Sequence, residues 1–264
     1  MSSRIITLTT DFGLRDPYVA EMKAAILSIC PSAALVDVTH EVAPFNVRMG
    51  AYVLASAAPY FPKGTVHVAV VDPGVGTQRR ALLIQTRQGF FIGPDNGLLV
   101  LAAEKQGITA IHEITNPKVM LPKVSSTFHG RDVFAPAAAH LTNGVAPTEF
   151  GIKIQDFVKP QFTKVTKGEG VVTCEVLHVD NFGNVITNIR EQESEGFKTG
   201  DFVNVELRDF KLRLKLVKAY GETKPQEPLA LIGSHGYLEI ALNQGNAAKM
   251  LQVRLGDTVK FSKS

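Results

Sequence analysis

The sequence predicts an α/β domain followed by a small all-β domain. Three observations carry that expectation. The first half alternates apolar, β-branched runs with segments of helical spacing. A polar stretch, Val158–Gly170, then breaks the pattern with Pro160, three lysines and Gly168. Beyond it come only short strands separated by turn residues, the signature of a small barrel or sandwich. A length of 264 residues suits one or two domains, so the expected division is residues 1–160 and 168–264. The fold class is a mainly parallel α/β sandwich with a C-terminal β-barrel.

Each element has its own signal. Arg4–Thr10 is a β-branched run that ends in polar residues. Pro17–Ile29 follows as a helix with Val19, Met22, Ile26 and Ile29 on one face, closed by Pro31. Ala34–Val38 is a short buried strand and Asn46–Ala58 a second helix. Thr65–Val71 is apolar throughout and ends at Asp72-Pro73-Gly74. Ala81–Thr86 and Gly89–Ile92 form a hairpin. Leu98–Gln106 and the alanine-rich Phe134–Thr142 are the third and fourth helices. This alternation means βαβ units around a parallel sheet. The second half reads as strands Val171–Val179, Asn184–Asn188, Phe202–Leu207, Leu212–Val217, Leu229–Ile232, Tyr237–Ala241 and Thr258–Phe261, with almost no helix.

Composition excludes several classes. With 45% hydrophobic and 20% charged residues the chain is not intrinsically disordered. The net charge of +3 is spread over both halves, so no nucleic-acid partner is expected. No apolar run approaches a membrane span of about 18 residues. The start, MSSRIITLTTD, reads as strand rather than signal peptide. Cys30 and Cys174 make no disulfide framework. A cytoplasmic protein is expected.

The chemistry-bearing residues cluster at strand ends. In a doubly wound sheet, ligands sit beyond the carboxyl ends of the strands. Two strands there end in an acid, Asp11 in TTDFG and Asp72 in VVDPGVG. Strand-end acids often serve only as turn or cap residues, but two on one sheet point to a site. His129 lies in a loop, Thr127–Asp132, just before the fourth helix, whereas His112 and His140 sit in apolar surroundings and read as structural. Arg79 and Arg80 follow Asp72 by seven and eight residues, so one of them can return to its carboxylate as a bidentate partner. The second half offers two polar, glycine-bearing loops, 180–184 and 233–236, and a 243–246 turn.

These residues alone leave three readings open. One is a hydrolase with a metal on Asp11, Asp72 and His129, although the HxH and HExxH spacings are absent. Another is a non-catalytic nucleoside-binding module. The third is a metal-free enzyme that positions water with an Asp/His/Arg group.

The motifs TTDFGLRDPYVAEMK, VVDPGVGTQRR, GPDNGLL, STFHGRDVFAP, HVDNFGNVITNI and SHGYLEIALNQGNAA, in this order over nearly the whole chain, resemble the S-adenosyl-L-methionine (SAM) hydroxide adenosyltransferase family, related to fluorinase and chlorinase. The resemblance implies hydrolysis of SAM to adenosine and L-methionine, with SAM as substrate, no cofactor and no metal. It also implies a homotrimer with sites at subunit interfaces. Its catalytic set falls on Asp72, Arg79 and His129. Halogenases carry an aromatic at Asp72 and a halide-binding serine at Gly130, which disfavours a halide-dependent adenosyl transferase. A non-catalytic SAM- or nucleoside-binding protein is the other alternative.

Carried over residue by residue, Asp11 receives the ribose hydroxyls and Phe45 walls the ribose. Asp180 and Ser234 hold the methionine amino and carboxylate groups. Phe182, Asn184, Tyr220 and Glu239 lie on the adenine side. The α/β domain would then carry the ribose and nucleophile site, and the β domain the methionine and adenine contacts.

Overall fold

The structure is a computed structural model describing residues 4–194 and 196–263. The chain divides into two compact units, Met1–Lys159 and Pro160–Ser264.

The first unit runs β1 (Ile5–Thr10), α1 (Tyr18–Ile29), β2 (Ala34–Thr39), α2 (Val47–Ala57), β3 (Val66–Val70), β4 (Ala81–Thr86), β5 (Phe90–Pro94), α3 (Val100–Gln106), β6 (Ile108–Glu113), α4 (Ala135–Thr142) and β7 (Lys153–Ile154). The sheet order is β2-β1-β3-β5-β4-β6-β7. Pairing is parallel from β2 to β5 and antiparallel from β5 to β7. The tight Arg87–Gln88 connection turns the chain straight back and forces that change. One face of β1 and β3, through Ile6, Leu8, Val66, Val68 and Val70, joins Met22 and Ile26 of α1 and the alanines of α4 in one core. Alanines let α4 lie close to the sheet at small entropic cost.

The chain leaves β1 for β2 on one side and returns to β3 on the other. Thr10 pairs with Val70 at the carboxyl ends of these neighbours. That junction is the topological switch point of the sheet, where ligands bind in this architecture.

The second unit contains β8 (Thr166–Gly168), β9 (Val171–Val179), β10 (Val185–Arg190), β11 (Phe202–Leu207), β12 (Phe210–Val217), β13 (Pro228–Ile232), β14 (Tyr237–Leu242), α5 (Ala247–Met250) and β15 (Thr258–Lys263). The order β10-β14-β13-β12-β11-β15-β9 closes on itself through β9–β10, and β8 adds to β9 outside the ring. The seven-stranded barrel encloses Val176, Val185, Val205, Leu214, Leu238, Ile240, Val259 and Phe261. Closure leaves few free edges to protect.

The structure departs from the sequence reading in several places. β2, expected to be buried, is a largely exposed edge strand, and the short β7 was not expected. β6 was not expected, because ITAIHE mixes polar and apolar residues without clean alternation. β8 lies inside the stretch read as linker: Thr166–Gly168 pairs with Thr173–Val171 despite its polar side chains. A π turn, Gly130–Phe134, precedes α4, so the helix read from Phe134 begins one turn earlier and wider.

Candidate active site

Beyond β1 and β3 lies a cleft of about 560 Å³, lined by residues that include Asp11, Phe45, Asp72, Thr127, His129 and Arg131. Asp11 directly follows β1. Its Oδ2 accepts the backbone N–H of Phe45 at 2.8 Å. Phe45 has φ of 65° and is 71% exposed. A bulky residue in the left-handed region is costly and is tolerated where the surroundings fix it. Here the Asp11 bond fixes it. Burial raises the Asp11 pKa against the Phe45 N–H, and the nearby Asp72 charge adds to the rise.

Asp72 sits two residues past β3. The chain loops back through Gly74 and Gly76, and Arg79 returns to grip it. Arg79 Nε lies 3.0 Å from both carboxylate oxygens, and Nη2 donates to Oδ2. Both side chains are almost fully buried. Arg79 also lies over the Phe134 ring, 5.2 Å from its centroid. Arg80 does not share this task. It binds Asp95 at 2.8 Å and Asp156 at 3.0 Å, because successive side chains on the extended entry to β4 point to opposite faces.

The same Nη2 of Arg79 lies 2.9 Å from His129 Nδ1. His129 is the residue before the π turn. Burial, followed by the Arg79 charge, lowers its pKa below 6.5. Gly76 holds the two loops together. Its φ is +76°, and a Cβ there would stand 2.2 Å from Ser126 O. Only glycine permits both.

On the cleft wall, Arg131 binds Glu21 Oε2 at 2.7 Å and Asp132 Oδ1 at 2.6 Å and stacks on Phe128. Phe12, Tyr18 and Phe128 meet edge to face. No sequence signal marks this Glu21–Arg131–Asp132 group, which joins α1 to the π turn. Among the described residues, no group of three or more His, Cys, Asp or Glu side chains is placed to hold a metal ion. No helix among them is long and apolar enough to cross a membrane.

The second unit brings another set together. Asp180 ends β9. Its Oδ1 accepts the backbone N–H groups of Phe182 and Asn184, each at 2.9 Å, and its Oδ2 accepts Asn184 Nδ2 at 2.8 Å. Tyr220 Oη donates to Glu239 Oε2 at 3.1 Å and lies 3.5 Å from Asn184 Nδ2. Glu239, on β14, is only 5% exposed. Burial pushes its carboxyl up to about 7; the Tyr220 hydroxyl opposes this and Asp180 adds to it. Gly233 makes room for that carboxylate, since a Cβ there would lie 1.7 Å from Oε1. Phe182 is 78% exposed. Ser234 is exposed on the β13–β14 turn and joins none of these bonds.

Comparison with known proteins extends over both units. Residues 6–151 match the model of the SAM hydroxide adenosyltransferase N-terminal domain, and residues 174–260 that of its C-terminal domain. A Methanocaldococcus jannaschii protein named (R)-S-adenosyl-L-methionine hydrolase is 42% identical, covering 97% of this chain and 95% of its own. A Thermus thermophilus protein of the same name is 39% identical, covering 98% and 99%. A fluorinase from Actinopolyspora mzabensis is 30% identical, covering 100% and 98%. A crystal structure of an uncharacterized conserved Thermotoga maritima protein superposes with a TM-score of 0.90 at 40% identity, covering 98% and 100%. With both halves matched in order, and with hydrolases more similar than fluorinases, the chain belongs to the SAM hydroxide adenosyltransferase family.

Proposed function

We propose that this protein hydrolyses SAM to adenosine and L-methionine by in-line attack of water on C5′. The Asp72–Arg79–His129 cluster at the mouth of the switch point carries the reading. The similar proteins from M. jannaschii and T. thermophilus are named for the (R) sulfonium epimer, and we assign that epimer as the substrate here.

The chemistry needs a water held beside a sulfonium. The water oxygen bonds to C5′, the C5′–S bond breaks, and sulfur keeps the electron pair as a neutral thioether. The water proton passes to an acceptor. Asp72 is that acceptor: Arg79 aligns its carboxylate and leaves an Oδ1 lone pair for the water. A guanidinium only donates, so His129 Nδ1 accepts from Arg79 and the neutral ring carries its proton on Nε2. His129 therefore offers an N–H to the cleft. It orients water and is not the base. Alignment of this kind supplies about 7–11 kcal/mol for well-placed reactants, and combining an anion-like nucleophile with a cation benefits from excluded water.

Among the described residues, the cleft and the side chains bonded behind it carry four carboxylates (Asp11, Glu21, Asp72, Asp132) and two guanidiniums (Arg79, Arg131). That balance suits a cationic ligand. Asp11 can accept both ribose hydroxyls and Phe45 walls the sugar. In the second unit Asp180 and Ser234 take the methionine end, and Phe182, Asn184, Tyr220 and Glu239 the adenine end. The two half-sites meet between neighbouring subunits of a cytoplasmic homotrimer. SAM is the substrate, and the reaction requires neither cofactor nor metal.

Purified protein with (R)-SAM or (S)-SAM, in ¹⁸O water, with and without halide, tests this. Adenosine carrying ¹⁸O at its 5′ oxygen, formed faster from the (R) epimer and without halide, is expected. A 5′-halonucleoside would establish the halogenase reading, and no released nucleoside a binding protein.

A further inference from the structure

In the first unit, segment 40–45 is laced to the end of β1. The β1–β2 register pairs Leu8 with Asp37 and then Thr9 with Thr39, so Val38 is an extra residue on β2. Bulges are rare between parallel strands and often re-aim a side chain next to a site. This one advances β2 by a residue and brings His40 beside Thr10. His40 Nδ1 lies 2.8 Å from Thr10 Oγ1, and both side chains are buried. Thr10 Oγ1 also accepts the Phe12 N–H at 3.2 Å, a side-chain turn whose middle residue is Asp11. His40 O accepts the Gly13 N–H at 2.8 Å, Thr10 O accepts the Val42 N–H at 3.3 Å, and Asp11 Oδ2 holds the Phe45 N–H. On the far side of the ring, His40 Nε2 stands 3.1 Å from Asp37 Oδ1, an electrostatic contact rather than an aligned hydrogen bond. The other Asp37 oxygen accepts Lys23 Nζ at 2.6 Å. A carboxylate on that side keeps the ring proton on Nε2. Nδ1 then accepts the Thr10 hydroxyl, which leaves a Thr10 lone pair for Phe12.

We infer that His40 is a positioning residue: through the Thr10 hydroxyl it sets the direction of the Asp11 carboxylate, and with it the grip on a vicinal diol. This rests on the ribose reading of Asp11 given above. The β1–β2 ladder is complete before Thr10, so what the His40–Thr10 pair fixes is the turn that carries Asp11. Asp11 has little latitude, because one Oδ2 lone pair already goes to Phe45. A carboxylate receives two hydroxyls at once only when its plane faces both, so a small rotation of the turn forfeits one bond. His40 lies behind β1 and is itself buried. It acts on the ligand through Asp11 alone.

The test is calorimetric binding of adenosine and of 2′,3′-dideoxyadenosine, which lacks both hydroxyls. The proteins are the wild type, Thr10→Val, His40→Leu, His40→Asn, Asp11→Ala and the Asp11→Ala/Thr10→Val double variant. Wild type should hold adenosine about tenfold tighter or more, the value of hydrogen bonds to a charged acceptor. Thr10→Val and His40→Leu should each lower that ratio about threefold or more. His40→Asn keeps a polar atom where Nδ1 lies and should recover most of the ratio. Thr10→Val should take nothing further from Asp11→Ala, because both act at one carboxylate. General loosening of the fold would weaken both nucleosides alike and leave the ratio unmoved. Thr10→Val keeps the side-chain shape, so it tests the link even where His40→Leu does not fold. An unchanged ratio in Thr10→Val, or a further loss in the Asp11→Ala background, overturns the inference alone. A ratio that is absent from the wild type or survives Asp11→Ala overturns the ribose reading together with it.

Discussion

Arg79 Nη2 bridges to His129 Nδ1 at 2.9 Å while the same guanidinium clamps Asp72. Three side chains from two loops are thus held by one planar cation. His129 must be neutral for this bond to exist, because its protonated ring would turn an N–H towards Arg79. A base with a depressed pKa is neutral above that value and charges only below it. Any acid limb of kcat/KM due to His129 should therefore have its midpoint below 6.5. The pH profile of adenosine formation measures this. A midpoint at or above 6.5 that moves in His129→Asn would contradict it.

The two strand-end acids should separate turnover from binding. On the proposed mechanism Asp72 meets the nucleophile, so Asp72→Ala should lower turnover by about a hundredfold or more, with substrate affinity within about tenfold. Asp11→Ala removes the Phe45 tether and, on the proposed reading, a ribose acceptor, so affinity should weaken first. Calorimetric binding lost in parallel with activity in Asp72→Ala would sink this division.

Gly76→Ala should be among the most damaging single substitutions in the first unit. The added methyl meets Ser126 O at 2.2 Å and the backbone lies at φ +76°. A loss of about 2–4 kcal/mol is expected, read from denaturant midpoints. Gly144→Ala gives the comparison: φ is +94° there with nothing within 4 Å, so it should cost only the backbone part.

His67 predicts acid sensitivity. It stacks on Phe91 with centroids 4.9 Å apart and shares a 2.8 Å bond with Thr7. Burial lowers its pKa from 6.5 to about 4. The unfolded chain binds this proton first, so the contribution is whole above 6.5 and falls away as pH drops towards 4. About 3 kcal/mol is at stake. Melting temperature should decline over that window, and His67→Gln should flatten the decline.

Assembly is open to a direct test. If the half-sites meet between subunits, a lone subunit has two halves and no whole. Mixing Asp72→Ala with Asp180→Ala protein should restore some activity, since one interface of a mixed trimer pairs two intact halves. Each parent should remain inactive. Mixed trimers, confirmed by mass, with no activity above the parents would place the site within one chain.

Much of the first site was legible because turn chemistry punctuates strands. TTDFG and VVDPGVG mark where β1 and β3 stop, and neighbouring parallel strands must stop at the same end. Spacing alone left Arg79 and Arg80 open, and only the family resemblance selected Arg79: the choice depends on how many residues the Gly74–Gly76 loop consumes before β4. Glu239 came to the adenine side only through the family resemblance, and the bond it accepts from Tyr220 is visible only in the fold. β8 hides within the polar stretch because Thr-Lys-Gly carries no apolar signal, and its pairing comes from the backbone ladder with β9.

The excess of carboxylates around the first cleft also bears on what the protein ignores. Transfer of a group from a sulfonium donor leaves an uncharged thioether nucleoside with the same sugar and base. Walls that favour a positive sulfur have little extra hold on a neutral one. On the proposed placement of the sulfonium, the cleft can thus discriminate against that look-alike, and each turnover, by discharging the sulfur, loosens the leaving amino acid from the surface that drew it in.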